Sequence, residues 1–188
     1  MKKSLGFSFL ELVLVVVVVS LVAIMAIPKF IDMVDEAKKS SVKTMAATYA
    51  SAVISARAQW EVDRKPKKSS LSGTAYNQVD YDGSKIWLVD LAATGLSDYQ
   101  EGYPISVSDG DRNYTTSVSN EDCVLLMENL LQNPPMVVSV GSRFSQQDDV
   151  RYLAQAKSNT CIYFQQEGAQ HSFMYDIKTG RVTVHIQQ

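Results

Sequence analysis

The stretch GFSFLELVLVVVVVSLVAIMAIP, residues 6–28, decides how the rest of the chain is read. From residue 7 to 27 it is apolar except for Ser8, Ser20 and one charged residue, Glu11. A helix of about 21 residues, rising about 1.5 Å per residue, spans the roughly 30 Å of a bilayer's hydrocarbon core. The segment therefore predicts a transmembrane helix. Lys2 and Lys3 precede it, which favours a cytoplasmic start with the bulk of the chain outside. A secretory signal peptide has a shorter apolar core, about 7–15 residues, and a small-x-small cleavage site. Here a cut after Ala26 would leave Ile24 at the third position back, and Pro28 follows closely, so cleavage at the far end is not expected.

Outside this segment the composition is ordinary. The chain has 188 residues with 18 Lys and Arg against 20 Asp and Glu, a formal charge of −2, which argues against a nucleic-acid binder relying on bulk charge. Roughly 160 residues remain to build one domain with its own core. The two cysteines, Cys123 and Cys161, both fall in that outer domain. An isolated pair in an oxidising compartment reads as one disulfide, the alternative being two buried thiols. There is no CxxC and no cysteine–histidine cluster of the kind that holds zinc.

The helical pattern continues past Pro28. Val42, Met45, Tyr49, Val53, Ala56 and Trp60 recur at three- and four-residue steps and make one apolar stripe. Asp35 with Lys39, and Arg57 with Glu61, stand four apart, as on an exposed helix face. The pattern stops at Lys65-Pro66, where proline disfavours helix in the residue before it. One helix from residue 7 to about residue 63 follows, with a kink or local melting expected at residues 23–28 because Pro28 has no N–H to donate.

Residues 64–75, RKPKKSSLSGTA, read as a basic linker or exposed loop, with an anion-binding patch as the functional alternative. Residues 85–95 hold a short core strand or helix around Ile86, Trp87, Leu88 and Leu91. Ser119-x-x-Asp122 is a capping box that opens a helix through Gln132, with Cys123, Met127, Leu130 and Leu131 on its buried side. Residues 136–140 and 161–164 are short β-prone runs. Phe173, Tyr175 and Ile177 alternate with polar residues, as do Val182, Val184 and Ile186, and Lys178-Thr179-Gly180 supplies the turn between them. The expected architecture is α+β: a long N-terminal helix packed on an antiparallel sheet.

Nothing in the sequence points to catalysis, and no cofactor is implied. HExxH, GxSxG and P-loop spacings are absent. His171 and His185 read as surface or edge-strand residues of the terminal hairpin. Asp80-Tyr81-Asp82-Gly83 and Asp109-Gly110-Asp111 resemble fragments of calcium loops but lack the remaining ligands, so both read as turns.

Glu11 is the residue that needs a reason. A carboxylate at a bilayer centre costs about 2.5–3.5 kcal/mol on insertion scales, so it usually has a partner, though near a helix end it can snorkel. Lys2 and Lys3 lie more than two turns back. A cut after Gly6 would make the Phe7 amino group a cation four residues from Glu11, and two staggered helices would bring amine and carboxylate face to face.

Lys2-Lys3, then Gly6-Phe7-Ser8-Phe9-Leu10-Glu11, the long apolar run and Pro28 resemble the class III leader of type IV pilins and pseudopilins. The resemblance implies a leader over 1–6, cleaved between Gly6 and Phe7 by a prepilin peptidase, with N-methylation of Phe7. It implies a transmembrane and filament-core half-helix over 7–28 and a periplasmic globular domain over 29–188, in the type IV pilin fold. Phe7, Glu11 and Pro28 become assembly residues, and Cys123 and Cys161 fit the late disulfide of that fold.

Pro28-Lys29-Phe30-Ile31-Asp32, Asn133-Pro134-Pro135, Tyr152-Leu153-Ala154 and Cys161-Ile162-Tyr163 are similar to the mannose-sensitive haemagglutinin (MSHA) pilus family, closest to its MshB-like minor pilins. The implied function is a structural, non-enzymatic filament subunit for surface attachment. Its implied partners are other pilin subunits, the peptidase, an assembly platform and its ATPase. It would sit in the inner membrane, single-pass with its C-terminal domain periplasmic, before joining an extracellular pilus. A type II secretion pseudopilin shares leader, helix and fold. A membrane-tethered periplasmic protein is the other alternative, and it gives no reason for Gly6-Phe7 or Glu11.

Overall fold

A computed structural model describes residues 8–70, 72–95, 97–108, 113–143, 149–167 and 171–187. The chain divides into two compact units, Met1–Lys38 and Lys39–Gln188. Helix α1 (Phe9–Val62) supplies all of the described secondary structure of the first unit and opens the second.

In the first unit the helical backbone continues through Pro28. Of the kink or local melting expected at residues 23–28, the melting does not occur. Proline's φ is compatible with a helix, so the loss is confined to one hydrogen bond, the donor to the Ile24 carbonyl.

In the second unit α1 buries Val42, Tyr49, Val53, Ala56 and Trp60, as the stripe predicts, together with Ala46 and Ala52, while Met45 is only partly covered. Arg57 Nε lies 3.4 Å from Glu61 Oε1 on the outer face. The helix ends in a Schellman motif without glycine. Lys65 N–H donates to the Trp60 carbonyl at 2.8 Å and Arg64 N–H to the Glu61 carbonyl at 3.2 Å, with Arg64 at φ 62° and Lys65 at φ 57°.

Residues 64–75 are not wholly a loop. They contain β1 (Lys67–Ser69), paired antiparallel with β2 (Ala75–Tyr81). All three β1 residues are exposed, so no buried side gave the strand a period to read. Strands β3 (Ser84–Leu88) and β4 (Pro104–Val107) complete an antiparallel sheet in the order β1-β2-β3-β4, with the short helix α2 (Leu91–Thr94) between them. Asp80–Gly83 is the turn expected of it: Asp82 and Gly83 both have positive φ, 50° and 84°, between the paired Tyr81 and Ser84.

Helix α3 (Asn120–Leu130) starts at the predicted capping box. Asp122 N–H donates to Ser119 Oγ, and Asp122 Oδ2 accepts from Ser119 N–H at 2.8 Å. The second sheet runs β5 (Val137–Ser139), β6 (Tyr152–Lys157), β7 (Thr160–Gln165), β8 (Ser172–Asp176) and β9 (Arg181–His185). Only β5–β6 is parallel; the rest is antiparallel. The two sheets share one hydrophobic core with α3 and the second half of α1.

Tyr49 joins α1 to the second sheet. Its ring lies 5.4–5.7 Å from those of Tyr163, Phe173 and Tyr175. Tyr163 donates its hydroxyl proton to the Cys123 carbonyl at 2.8 Å. With that proton committed, the 3.1 Å contact between the Tyr49 and Tyr163 hydroxyls has Tyr49 as donor. Tyr175 donates to the Pro104 carbonyl at 2.8 Å. The disulfide between Cys123 and Cys161 ties α3 to β7 beside this chain of donors, with Cα atoms 5.5 Å apart.

Burial raises the pKa of Tyr49, Tyr163 and Tyr175 well above the ordinary value. A folded-state pKa above the unfolded one stabilises fully below the unfolded pKa of about 10, and that stability is lost as pH rises through the folded value. Each such tyrosine removes up to about 1.4 kcal/mol per pH unit above that point. Urea unfolding of the full chain in detergent between pH 8 and 12 is expected to show a flat stability up to about pH 10 and a steep fall beyond it. Tyrosinate absorbance should appear together with unfolding, not before it.

Candidate assembly interface

The first unit is an apolar surface with nothing folded onto it. Every residue from 8 to 33 is exposed, and the most apolar 18-residue window has a mean hydropathy of 3.0 with none of it buried. Phe9 is 81% exposed and Met33 68%. A folded monomer rarely leaves a patch of that size open to water, because the apolar area costs about 25 cal/mol per Å². By length and composition α1 can cross a membrane. The apolar surface also passes beyond bilayer length, through Phe30, Ile31 and Met33.

Its polar groups are few. Ser20 Oγ donates to the Val16 carbonyl at 2.7 Å, so that hydroxyl is satisfied within the helix. Glu11 is exposed and meets no cation among the described residues. The next lysine along the helix is Lys29, about 27 Å away at the helical rise. Pro28 lies on the same exposed surface. Lys2, Lys3, Gly6 and Phe7, the residues of the implied cleavage and methylation, lie outside the described residues.

The remaining sequence candidates fall elsewhere. His185 is exposed on the edge strand β9, as expected. His171 is not a surface residue: it is fully buried, and its Nδ1 accepts from Gln187 N–H at 3.2 Å. It sits immediately before β8, where the chain turns inward, and a single histidine carries no periodic signal that would show this. Among the described residues no group of three His, Cys, Asp or Glu could hold a metal ion. Asp109-Gly110-Asp111 lies outside the described residues.

The basic stretch is divided by the fold. Lys67 Nζ pairs with Asp90 Oδ2 at 2.7 Å; Asp90 is fully buried and also accepts from Asn77 N–H at 3.1 Å. Lys65 lies over the Trp60 ring, 5.1 Å from its centroid. Arg64 and Lys68 are exposed and pair with nothing among the described residues.

Sequence reasoning missed a cavity of about 490 Å³ within the second unit, at the Met45 end of its helix. Met45, Pro135, Met136 and Tyr152 form its apolar wall. Arg151 bridges the carboxylates of Asp149 and Glu167 at its rim, at 3.3 and 3.0 Å. Gln165 lines it, buried, with Oε1 unpartnered among the described residues. Burial, with a further push from Glu167, raises the Tyr152 pKa to about 12. No motif foretells this site, because its members come from α1, the α3–β5 connection and the ends of β6 and β7.

No family model matches the chain, and no solved structure matches it. It is similar to the type IV narrow pilus major component PilA5 of Thermus thermophilus, with 29% identity over 85 residues. The aligned part covers 42% of this chain and 73% of that protein. Together with an α+β layout consistent with the type IV pilin fold, this likeness supports a relationship to the type IV pilins.

Proposed function

We propose that the chain is a structural subunit of a type IV pilus, assembled by bundling the apolar half of α1 with that of its neighbours. The observation that carries this reading is the fully exposed apolar helix with Glu11 as the one charge before Lys29. Such a helix is at home in lipid before assembly and among like helices afterwards. On this reading residues 1–6 are removed between Gly6 and Phe7, Phe7 is N-methylated, and the globular domain lies in the periplasm. A prepilin peptidase, an assembly platform and an ATPase are then its partners, and the work is mechanical and not enzymatic. The MSHA class and a minor, MshB-like role are the finer form of the proposal, supported by the short motifs around Pro28, Pro134, Tyr152 and Cys161.

Edman sequencing and intact mass of the protein from cells test it directly. The expected product starts at methylated Phe7, and Gly6→Val is expected to keep the leader and leave the protein in the inner membrane. A wild-type protein that retains Met1 would end the pilin reading. Quantifying the chain in sheared surface fibres separates the alternatives: a pilus subunit is present there, a minor one as a small share, and a type II secretion pseudopilin is not.

A further inference from the structure

The globular unit carries a basic and an acidic feature at opposite ends of its part of α1. At the Val62 end stand Arg64 and Lys68, exposed and unpaired among the described residues. At the Met45 end opens the cavity rimmed by Asp149 and Glu167, with one resident cation, Arg151. About 17 residues of helix separate them, roughly 25 Å at the helical rise. Among the described residues neither Arg64 nor Lys68 lines the cavity or pairs with its carboxylates within one chain.

We propose that they satisfy one another between chains: the Arg64–Lys68 end of one copy seats in the Asp149–Glu167 cavity of the next. The cavity suits a basic side chain in each part. Met45, Pro135, Met136 and Tyr152 receive an aliphatic stem. Each ionised carboxylate has about four acceptor positions, so the contacts with Arg151 leave capacity for a second donor. The Gln165 amide below is buried with Oε1 lacking a donor among the described residues, and an entering guanidinium or ammonium would supply one. A contact between two different patches, repeated head to tail, makes a ring where its rotation closes and a fibre where it does not; the proposed filament role calls for the second. This inference rests on the proposed filament role, with the chain as a repeating subunit and not a minor one, and adds the outer-domain contact to it.

The competing explanation for Lys68 is local: lysine on an edge strand such as β1 discourages unwanted strand pairing. Zero-length carbodiimide coupling of sheared filaments distinguishes the two. The reagent joins an amine and a carboxylate only in direct contact, and detergent-solubilised monomer coupled in parallel reports any internal link. The expected product is a peptide pair joining Lys68 to Glu167 or Asp149. Glu167→Lys is expected to lower the chain's share of filaments at least about fivefold, and Lys68→Glu in the same chain to restore it. If wild-type chain is present in filaments but neither the cross-link nor the rescue is found, the contact is wrong while the filament role stands. If wild-type chain never enters filaments, both fail.

Discussion

Processed Glu11→Ala protein is expected in the inner membrane at normal levels and nearly absent from sheared filaments, reduced by tenfold or more. The reason lies in what the proposed bundle does to charge. On the proposed processing, cleavage after Gly6 would create an amine at Phe7, four residues from Glu11. In the membrane that carboxylate lies near the helix end and can snorkel at moderate cost. In a bundle it is deeper and drier, where attraction to a neighbour's amine strengthens and an unpaired partner is penalised by about 3–5 kcal/mol. Each 1.4 kcal/mol of that penalty is about a tenfold change in occupancy. Glu11→Asp, with its shorter arm, should fall between. Processing, membrane content and filament content are measured on the same cells. Normal entry of processed Glu11→Ala, with normal filament number, would show that the pairing does not exist.

The Cys123→Ser, Cys161→Ser double variant is expected to lose about 4 kcal/mol of folding stability on the chain-entropy model for a 38-residue separation. A further loss arises in the native state. Cys123 supplies the carbonyl that takes the Tyr163 proton, and Tyr163 in turn takes that of Tyr49. Loosening α3 from β7 therefore also loosens the seat of α1. The expected result is a lower urea midpoint with a steeper slope, since the unfolded chain without its cross-link exposes more surface, and faster amide exchange around Tyr49 in α1. A midpoint equal to the wild type would contradict the role given to the bond.

The parts legible in the sequence were those with a strong period or strong punctuation. The apolar run, the stripe from Val42 to Trp60, the Ser119 capping box and the Gly180 turn each lie where they were expected. What escaped had no such mark. Strand β6 pairs with β7 through a two-residue turn of Ser158 and Asn159, both at positive φ without a glycine to announce it. Strand β1 is polar throughout, and α1 ends on two left-handed basic residues where glycine is usual. The cavity escaped for a different reason: four elements bring its walls together, and no local spacing encodes a site built by tertiary packing. Of the proposed assembly residues, Glu11 was conspicuous because a charge interrupts an otherwise apolar run. That Arg64 and Lys68 lack a partner among the described residues became visible only once Asp90 and Trp60 had claimed their neighbours Lys67 and Lys65.

The hydroxyl of Ser20, turned back onto Val16, bears on whether α1 can change surroundings reversibly. Between residues 12 and 27 no side chain asks anything of its solvent, since the one hydroxyl there is already served. Lipid tails and neighbouring aliphatic side chains are then nearly equivalent media for this segment, and exchanging one for the other is close to neutral in free energy. A partition so evenly poised can be tipped in either direction by a modest external force. On the proposed filament role, the same subunit is free to be drawn out of the bilayer and returned to it without unfolding, with the Glu11 carboxylate as the proposed latch.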